Sequence, residues 1–219
     1  VIMHDGLVRM YGEKQENIYY YITILNENYH MPAMPVGVEE GIRKGIYKLE
    51  SLKGENCKIQ LLGSGSMMRH VREAARILSS EYGIASDVYS VTSFSELARE
   101  GQDCERWNML HPSDKPRVPY VAQIMNDLIA VASTDYMKLF AEQIYSYIPA
   151  TDYRVLGTDG FGRSDSRENL RHYFEVDTSY VVVAALYELA KRAEINVKFV
   201  NEAIKKYNIS PEKINPRLA

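Results

Sequence analysis

The sequence predicts an α/β domain of three layers, with helices on both faces of a mostly parallel sheet. Three observations predict it. Short runs rich in β-branched residues recur along the chain. Each is followed by a longer stretch whose apolar residues fall at helical spacing. Glycines punctuate the junctions, as at Gly63 and Gly83. Strands separated by helices need crossover connections, and crossovers make neighbouring strands parallel. The chain carries no internal repeat and no low-complexity segment.

The elements follow in order. Ile18–Leu25 (IYYYITIL) is β-branched and aromatic and reads as a buried strand. Tyr19, Tyr20 and Tyr21 in a row fit a strand covered on both faces, between domains or subunits. Pro32 and Pro35 then interrupt regular structure and mark a linker. The first thirty or so residues thus read as the tail of a preceding domain. Lys58–Leu62 is the first strand of the main domain and stops at Gly63. A helix begins near Ser66, with Val71, Ala74, Ala75 and Leu78 on one face and Gly83 as its stop. Asp87–Val91 is the second strand. Ser93 stands three residues before Glu96, a capping box that starts the next helix. A helix over Arg117–Asn126 has Pro119 in its first turn. Leu128–Ser133 is the third strand. A helix from about Asp135 turns Met137, Phe140, Ala141 and Ile144 inward and ends at Pro149. Tyr153–Leu156 is the fourth strand. Helices close the chain near Ser166–Phe174, Ser179–Ala193 and Val197–Tyr207.

Composition excludes several classes. The 219 residues are 46% apolar and 25% charged with a net charge of −3, ordinary for a globular protein. Acids and bases are mixed and form no basic stripe, so nucleic acid is not an expected partner. The longest apolar runs, such as Val181–Leu186, are far too short to span a bilayer as a helix. Cys57 and Cys104 stand far apart without a neighbouring Cys or His at zinc-ligand spacing, so a reducing, cytoplasmic compartment is expected. The chain opens at Val1 without an initiator Met, which reads as an internal cut with further sequence upstream.

Several constellations bear on chemistry. Leu61-Leu-Gly-Ser-Gly-Ser66 joins a strand to a helix, where backbone amides can hold a phosphate. A dinucleotide fingerprint would need glycine where Met68 stands and an acid where Thr92 and Ser93 stand. The glycines therefore read as a tight turn. No Ser here is flanked by glycines as a nucleophile elbow requires. The loop Gly157–Ser166 (GTDGFGRSDS) lies after a strand, where open α/β sheets bind ligands. Arg163 is placed to meet an anion, with Asp159, Phe161, Gly162, Ser164 and Asp165 around it. The plain alternative is a glycine-rich turn in which Ser164 or Asp165 caps the next helix. His4, His30, His70, His111 and His172 never pair at metal-ligand spacing. His70 is expected to face solvent or a partner. His30, in the linker, is placed to reach another domain. Cys104-Glu-Arg-Trp-Asn-Met-Leu-His111 holds the single Trp, which reads as core or subunit interface.

Longer stretches carry a family resemblance. Asn26–His30 with Pro32–Pro35, then Glu40–Tyr47, resemble the bacterial homodimeric pyruvate dehydrogenases. Leu62–Ser66, Asp87–Phe94, Gly101–Asn108, Thr134–Glu142, Gly157–Leu170 and the ending Asn215–Ala219 continue the likeness along essentially the whole chain. The resemblance implies a transketolase-like C-terminal domain over residues 34–219. Residues 1–33 would be the last strand of a pyrimidine-binding domain plus linker. It also implies that the full-length enzyme is a homodimer using thiamine diphosphate and magnesium. That enzyme would decarboxylate pyruvate and pass the acetyl unit to a lipoyl arm of the dihydrolipoyl acetyltransferase core. The residues that hold the cofactor and perform acid–base chemistry would lie upstream of Val1. None can be assigned here, so no catalytic, cofactor-binding or metal residue is expected in this chain. The domain's expected role is structural and dimer-forming. The alternative is a ligand-binding or partner-docking regulatory module built on the Gly157–Ser166 loop.

Overall fold

The computed structural model describes residues 1–150 and 152–219. Helix α1 (Ile2–Tyr11) leads into an extended segment over 18–35, and α2 (Glu39–Lys44) follows. Strands β1 (Ile46–Leu52) and β2 (Cys57–Ser64) come next, then a 3-10 turn over Gly65–Met67 and α3 (Met68–Tyr82). Strand β3 (Ile84–Val91), α4 (Phe94–Leu110), α5 (Tyr120–Ile124) and β4 (Ala130–Ser133) continue the alternation. Helix α6 (Lys138–Glu142), β5 (Tyr153–Leu156), α7 (Arg167–Tyr173), α8 (Thr178–Lys191) and α9 (Lys198–Lys206) complete it.

The sheet has the order β1-β3-β2-β4-β5. Strand β2 runs parallel to both β3 and β4, and β4 runs parallel to β5. In register, Leu61 stands opposite Val88 on one side and Val131 on the other. Alternation then sorts the core into two halves. Ile59 and Leu61 pack with Val71, Leu78, Val182, Leu186 and Ala203 of α3, α8 and α9. Leu62 turns to the other face and meets Leu97 of α4, Val121 of α5 and Ala141 of α6. The predicted three-layer α/β/α architecture is thus the observed one. A strand buried on both faces is nearly all apolar, which is why the run through Leu62 reads clearly despite Gln60.

Local chemistry ends the elements where the pattern says. Gly83 adopts φ 64°, and its N–H donates to the Leu78 carbonyl to close α3. The Ser93 hydroxyl accepts from the Glu96 N–H at 3.0 Å and starts α4. Asp177 caps α8 in the same way, accepting from the Tyr180 N–H. Gln60, fully buried in β2, would be costly if left unpaired. Its amide donates to the Asn126 and Leu128 carbonyls and accepts from the Asn126 N–H, fixing the entry to β4.

Some expectations are corrected. Residues 18–25 are extended but form no ladder, because no described strand lies beside them to take their N–H and C=O groups. Tyr19 and Tyr21 are 88% and 87% exposed, so that stretch is not covered on both faces. Tyr20 does pack, against α1: its hydroxyl donates to Asp5 at 2.7 Å and accepts from Arg9 at 3.0 Å. Strand β1 escaped prediction. It sits antiparallel on β3 at the sheet edge, and its one-sided burial leaves a polar, irregular pattern. Helices α1 and α2 were likewise unforeseen. The helix expected over Arg117–Asn126 shrinks to α5. Arg117 is tied to the Asn108 side chain through both its N–H and its carbonyl, which holds its backbone away from a helical start. Of the four residues expected inward in the next segment, only Ala141 and Ile144 are buried. Met137 and Phe140 are 50% and 40% exposed, since α6 is a single turn and cannot present a long face.

Candidate functional site

The carboxyl ends of β2, β4 and β5 open into a cavity of about 360 Å³. Such an end is where parallel strands leave room between diverging loops. Each wall is placed by local geometry. Gly65 turns β2 into the 3-10 segment at φ 55°, and a Cβ there would stand 3.5 Å from the Asp135 carboxylate. That turn brings Ser66 and Met67 to the cavity, while the chain leaving β4 brings Asp135. After β5, Thr158 donates to the Asp135 carbonyl at 2.9 Å. Asp159 accepts from the Lys138 N–H at 3.0 Å, tying this loop to the start of α6. Gly160, at φ 106°, lies where a Cβ would come within 2.3 Å of the Pro216 carbonyl, so the C-terminal turn packs directly on it.

The predicted loop residues divide between these roles. Gly162 and Arg163 line the cavity, and the Arg163 guanidinium sits 5.5 Å from the Tyr173 ring centre. Phe161 and Ser164 are exposed and point to no described partner. Asp165 accepts from the Ser166 N–H and from the Asn169 amide. The helix cap itself is Ser166, whose hydroxyl accepts from the Asn169 N–H at 3.2 Å. Neither Ser164 nor Asp165 holds that position, because α7 begins two residues later than a Ser164 cap would require and one later than an Asp165 cap would.

The strongest electrostatics at this end come from residues the sequence did not single out. Glu27, on the extended segment, crosses to the sheet domain and pairs with Arg171 of α7 and with Arg69 of α3, the latter at 2.7 Å. The Arg171 guanidinium, helped by Arg69, holds the Glu27 carboxyl down to about 2. Beside it, Asn26 accepts from Arg167 at 2.9 Å, and the Tyr29 ring lies under Arg69. Asp135 behaves oppositely. Burial pushes its carboxyl above the usual carboxylate range, against weaker pulls from Ser66 and Arg171. Arg163, Arg167 and Arg171 repeat at intervals of four, a signal the sequence did contain. Glu27 and Asp135 had no such signal, since each reaches the site through the fold.

The histidines stay apart. His30 is exposed and does not line the cavity. His70 is not turned to solvent as expected. Its Nδ1 lies 3.0 Å from the Thr178 hydroxyl and its Nε2 is buried without a partner. Burial and the neighbouring Arg69 and Arg171 push its pKa down to about 4, so it is neutral at pH 7. Cys104 is buried beside Glu100, and burial raises its thiol to about 11, which leaves little thiolate for nucleophilic work. Trp107 stacks on His111 with 4.4 Å between ring centres and carries Arg117 on its ring, half-buried at the surface.

Among the described residues no three His, Cys, Asp or Glu side chains gather as a metal site. The cavity does not suit magnesium either. Of its two carboxylates, Glu27 is taken up by arginines and Asp135 is pushed toward its neutral form by burial, where magnesium wants charged oxygen ligands in octahedral array. A diphosphate bound through magnesium is thus no match for these residues. No helix of the described chain is long and apolar enough to cross a membrane.

Comparison with known proteins adds the following. A family model described as "Transketolase-like TK C-terminal domain" matches residues 45–177. Another, "Pyruvate dehydrogenase E1 component middle domain", matches residues 1–32. The chain is 78% identical over 219 residues to the pyruvate dehydrogenase E1 component of Escherichia coli K12, covering 100% of this chain and 25% of that protein. It is 60% identical over 221 residues to the protein of that name from Haemophilus influenzae, covering 100% of this chain and 25% of that one. The chain thus spans about a quarter of the length of the curated relatives it matches. Among solved structures, transketolase from Campylobacter jejuni superposes with a TM-score of 0.45 at 22% identity, covering 71% of this chain and 20% of that one. Transketolase from Leishmania mexicana gives a TM-score of 0.45 at 24% identity, covering 70% and 19%.

Proposed function

This chain belongs to the transketolase-like C-terminal domain family, and from that premise we propose that it is the C-terminal part of a pyruvate dehydrogenase E1 component. The whole enzyme would decarboxylate pyruvate on thiamine diphosphate with magnesium in the cytoplasm. It would then transfer the acetyl unit to the lipoyl group of the dihydrolipoyl acetyltransferase core. The single observation that carries this reading is identity over the full chain, 78% to the Escherichia coli protein of that name.

Within that enzyme the chain's part is architectural. Its residues position and join, and the cofactor is held by polypeptide outside it. The boundary between the two units falls near residue 33, and the segment before it docks onto the domain after it through Glu27. Arg171 and Arg69 hold that carboxylate, and Arg167 holds Asn26 beside it. Exposed apolar side chains support a role in the homodimer. Tyr136, Met137, Leu139 and Phe140 cluster before and within α6, with 5.5 Å between the Tyr136 and Phe140 rings. Large apolar surface left in water is commonly an interface.

Calorimetry tests the division of labour. Thiamine diphosphate with magnesium should give no heat with this chain and should saturate the complete polypeptide, which turns over pyruvate. Micromolar binding by this chain alone would sink the architectural reading. A complete polypeptide without pyruvate turnover would sink the enzymatic one.

A further inference from the structure

We propose that the cavity at the carboxyl ends of β2, β4 and β5 binds a small organic carboxylate that also carries a hydroxyl or amino donor.

The argument starts from which charges are already satisfied. Arg69 and Arg171 share the Glu27 carboxylate. Arg163 and Arg167 have no carboxylate partner among the described residues. Arg167 donates to the neutral Asn26 side chain, and Arg163 rests on the Tyr173 ring. Both line the cavity, on the loop after β5 and at the first turn of α7. A guanidinium offers a planar fork that matches a carboxylate, so two such groups at one opening favour that anion.

Charge balance narrows the class. The lining holds three arginines, Arg163, Arg167 and Arg171, against two carboxylates, Glu27 and Asp135. The lining alone sums to one positive charge, and Arg69, paired to Glu27 from outside the lining, adds a second, so the opening takes an anion. A phosphate, polar on every side, would leave the apolar walls uncovered, whereas a carboxylate on a carbon chain covers them. The rest of the lining sets the body of the ligand. Leu25, Met67, Leu170, Phe174 and Val176 give apolar walls for a short carbon chain. Asp135 and Ser66 supply acceptors that would stay poorly satisfied beside a purely apolar guest. Their mutual contact is 3.5 Å, and Arg171 reaches Ser66 at 3.4 Å, both at the long limit of hydrogen bonding. A ligand hydroxyl or ammonium would shorten that network. The volume, about 360 Å³, is at the small end of natural ligand sites.

The inference does not rest on pyruvate chemistry and is tested apart from it. Glycerate, propionate and inorganic phosphate are titrated by calorimetry into the complete polypeptide. Glycerate should saturate with a Kd on the order of 1 mM or tighter. Propionate, which lacks the donor, and phosphate should each bind at least several-fold more weakly. Arg167→Met should weaken glycerate about tenfold by removing one fork. Gly162→Val is the companion variant. A Cβ at Gly162 meets no atom within 4 Å, so the added side chain fits without clash, and because Gly162 lines the cavity it should weaken glycerate with the melting temperature unchanged. Three results would overturn the proposal. One is the absence of saturable glycerate heat up to about 20 mM. Another is phosphate binding more tightly than glycerate. The last is glycerate binding that both variants leave intact.

Discussion

In β2, Ile59, Leu61 and Leu62 are sealed between two helical layers, while in residues 18–25 Tyr19, Tyr21 and Ile24 stand in solvent. Both stretches are β-branched or aromatic and both run extended. They differ in their neighbours. Strand β2 is paired with β3 over Cys57–Ser64 and with β4 over Gln60–Gly63. The segment over 18–25 has none. Its attachment to the domain comes from the end, through Leu25, Asn26, Glu27 and Tyr29. Strand propensity is therefore a statement about fitting a half-buried pleated surface, and it stays unspent where no surface is offered.

The largest effect expected from this contrast lies in β2. Leu61→Ala would leave a cavity between the sheet and α3 and α8, where nothing nearby is free to fill it. The expected loss is about 2–5 kcal/mol, read from the urea midpoint. A loss below about 1 kcal/mol would mean that this core relaxes like a surface, and the contrast would fail.

Next in size is the tether. Glu27→Gln keeps the shape and removes the charge that Arg171 and Arg69 share, leaving Arg171 buried and poorly paired. The expected cost is about 1–3 kcal/mol, together with faster proteolysis within residues 12–35. The same tether depends on pH. The Glu27 carboxyl lies at about 2 in the fold against 4.5 for a free side chain, so its contribution is complete above 4.5 and is lost as pH falls toward 2. Protection of the segment should therefore be equal at pH 6 and pH 7 and should fall below about pH 4. Protection that ignored both acid and the substitution would show that the arginines do not hold the segment.

The same distinction explains what could be read in advance. Strands β2 and β4 and helices α3, α4 and α8 were legible because each has a repeating apolar pattern and a chemical stop, such as Gly83 or Ser93. Strand β1 was not, because an edge strand on one face of a sheet need satisfy only half a pattern. Residues 18–25 misled for the opposite reason: their pattern describes a burial that these neighbours do not provide. The cavity was half legible. Glycines and Arg163 after β5 marked its opening, since loops at strand ends advertise themselves by composition. Glu27 and Asp135 carry its electrostatics, and only the folding of distant segments brings them there.

The smallest expected effect is the sharpest probe of that misleading pattern. Ile24 is 88% exposed, so Ile24→Ser in this chain should change stability by no more than about 0.5 kcal/mol. Residues 1–32 match a middle domain, however, and a β-branched stretch beside the rest of such a domain would gain the ladder it lacks here. The same substitution in the complete polypeptide should then cost about 1–2 kcal/mol, since a buried isoleucine loses both its transfer energy and its cross-strand contacts. Equal, small effects in both settings would mean that residues 18–25 are a solvent-exposed tether in the complete polypeptide too. Their aromatic and β-branched character would then need another cause than a strand.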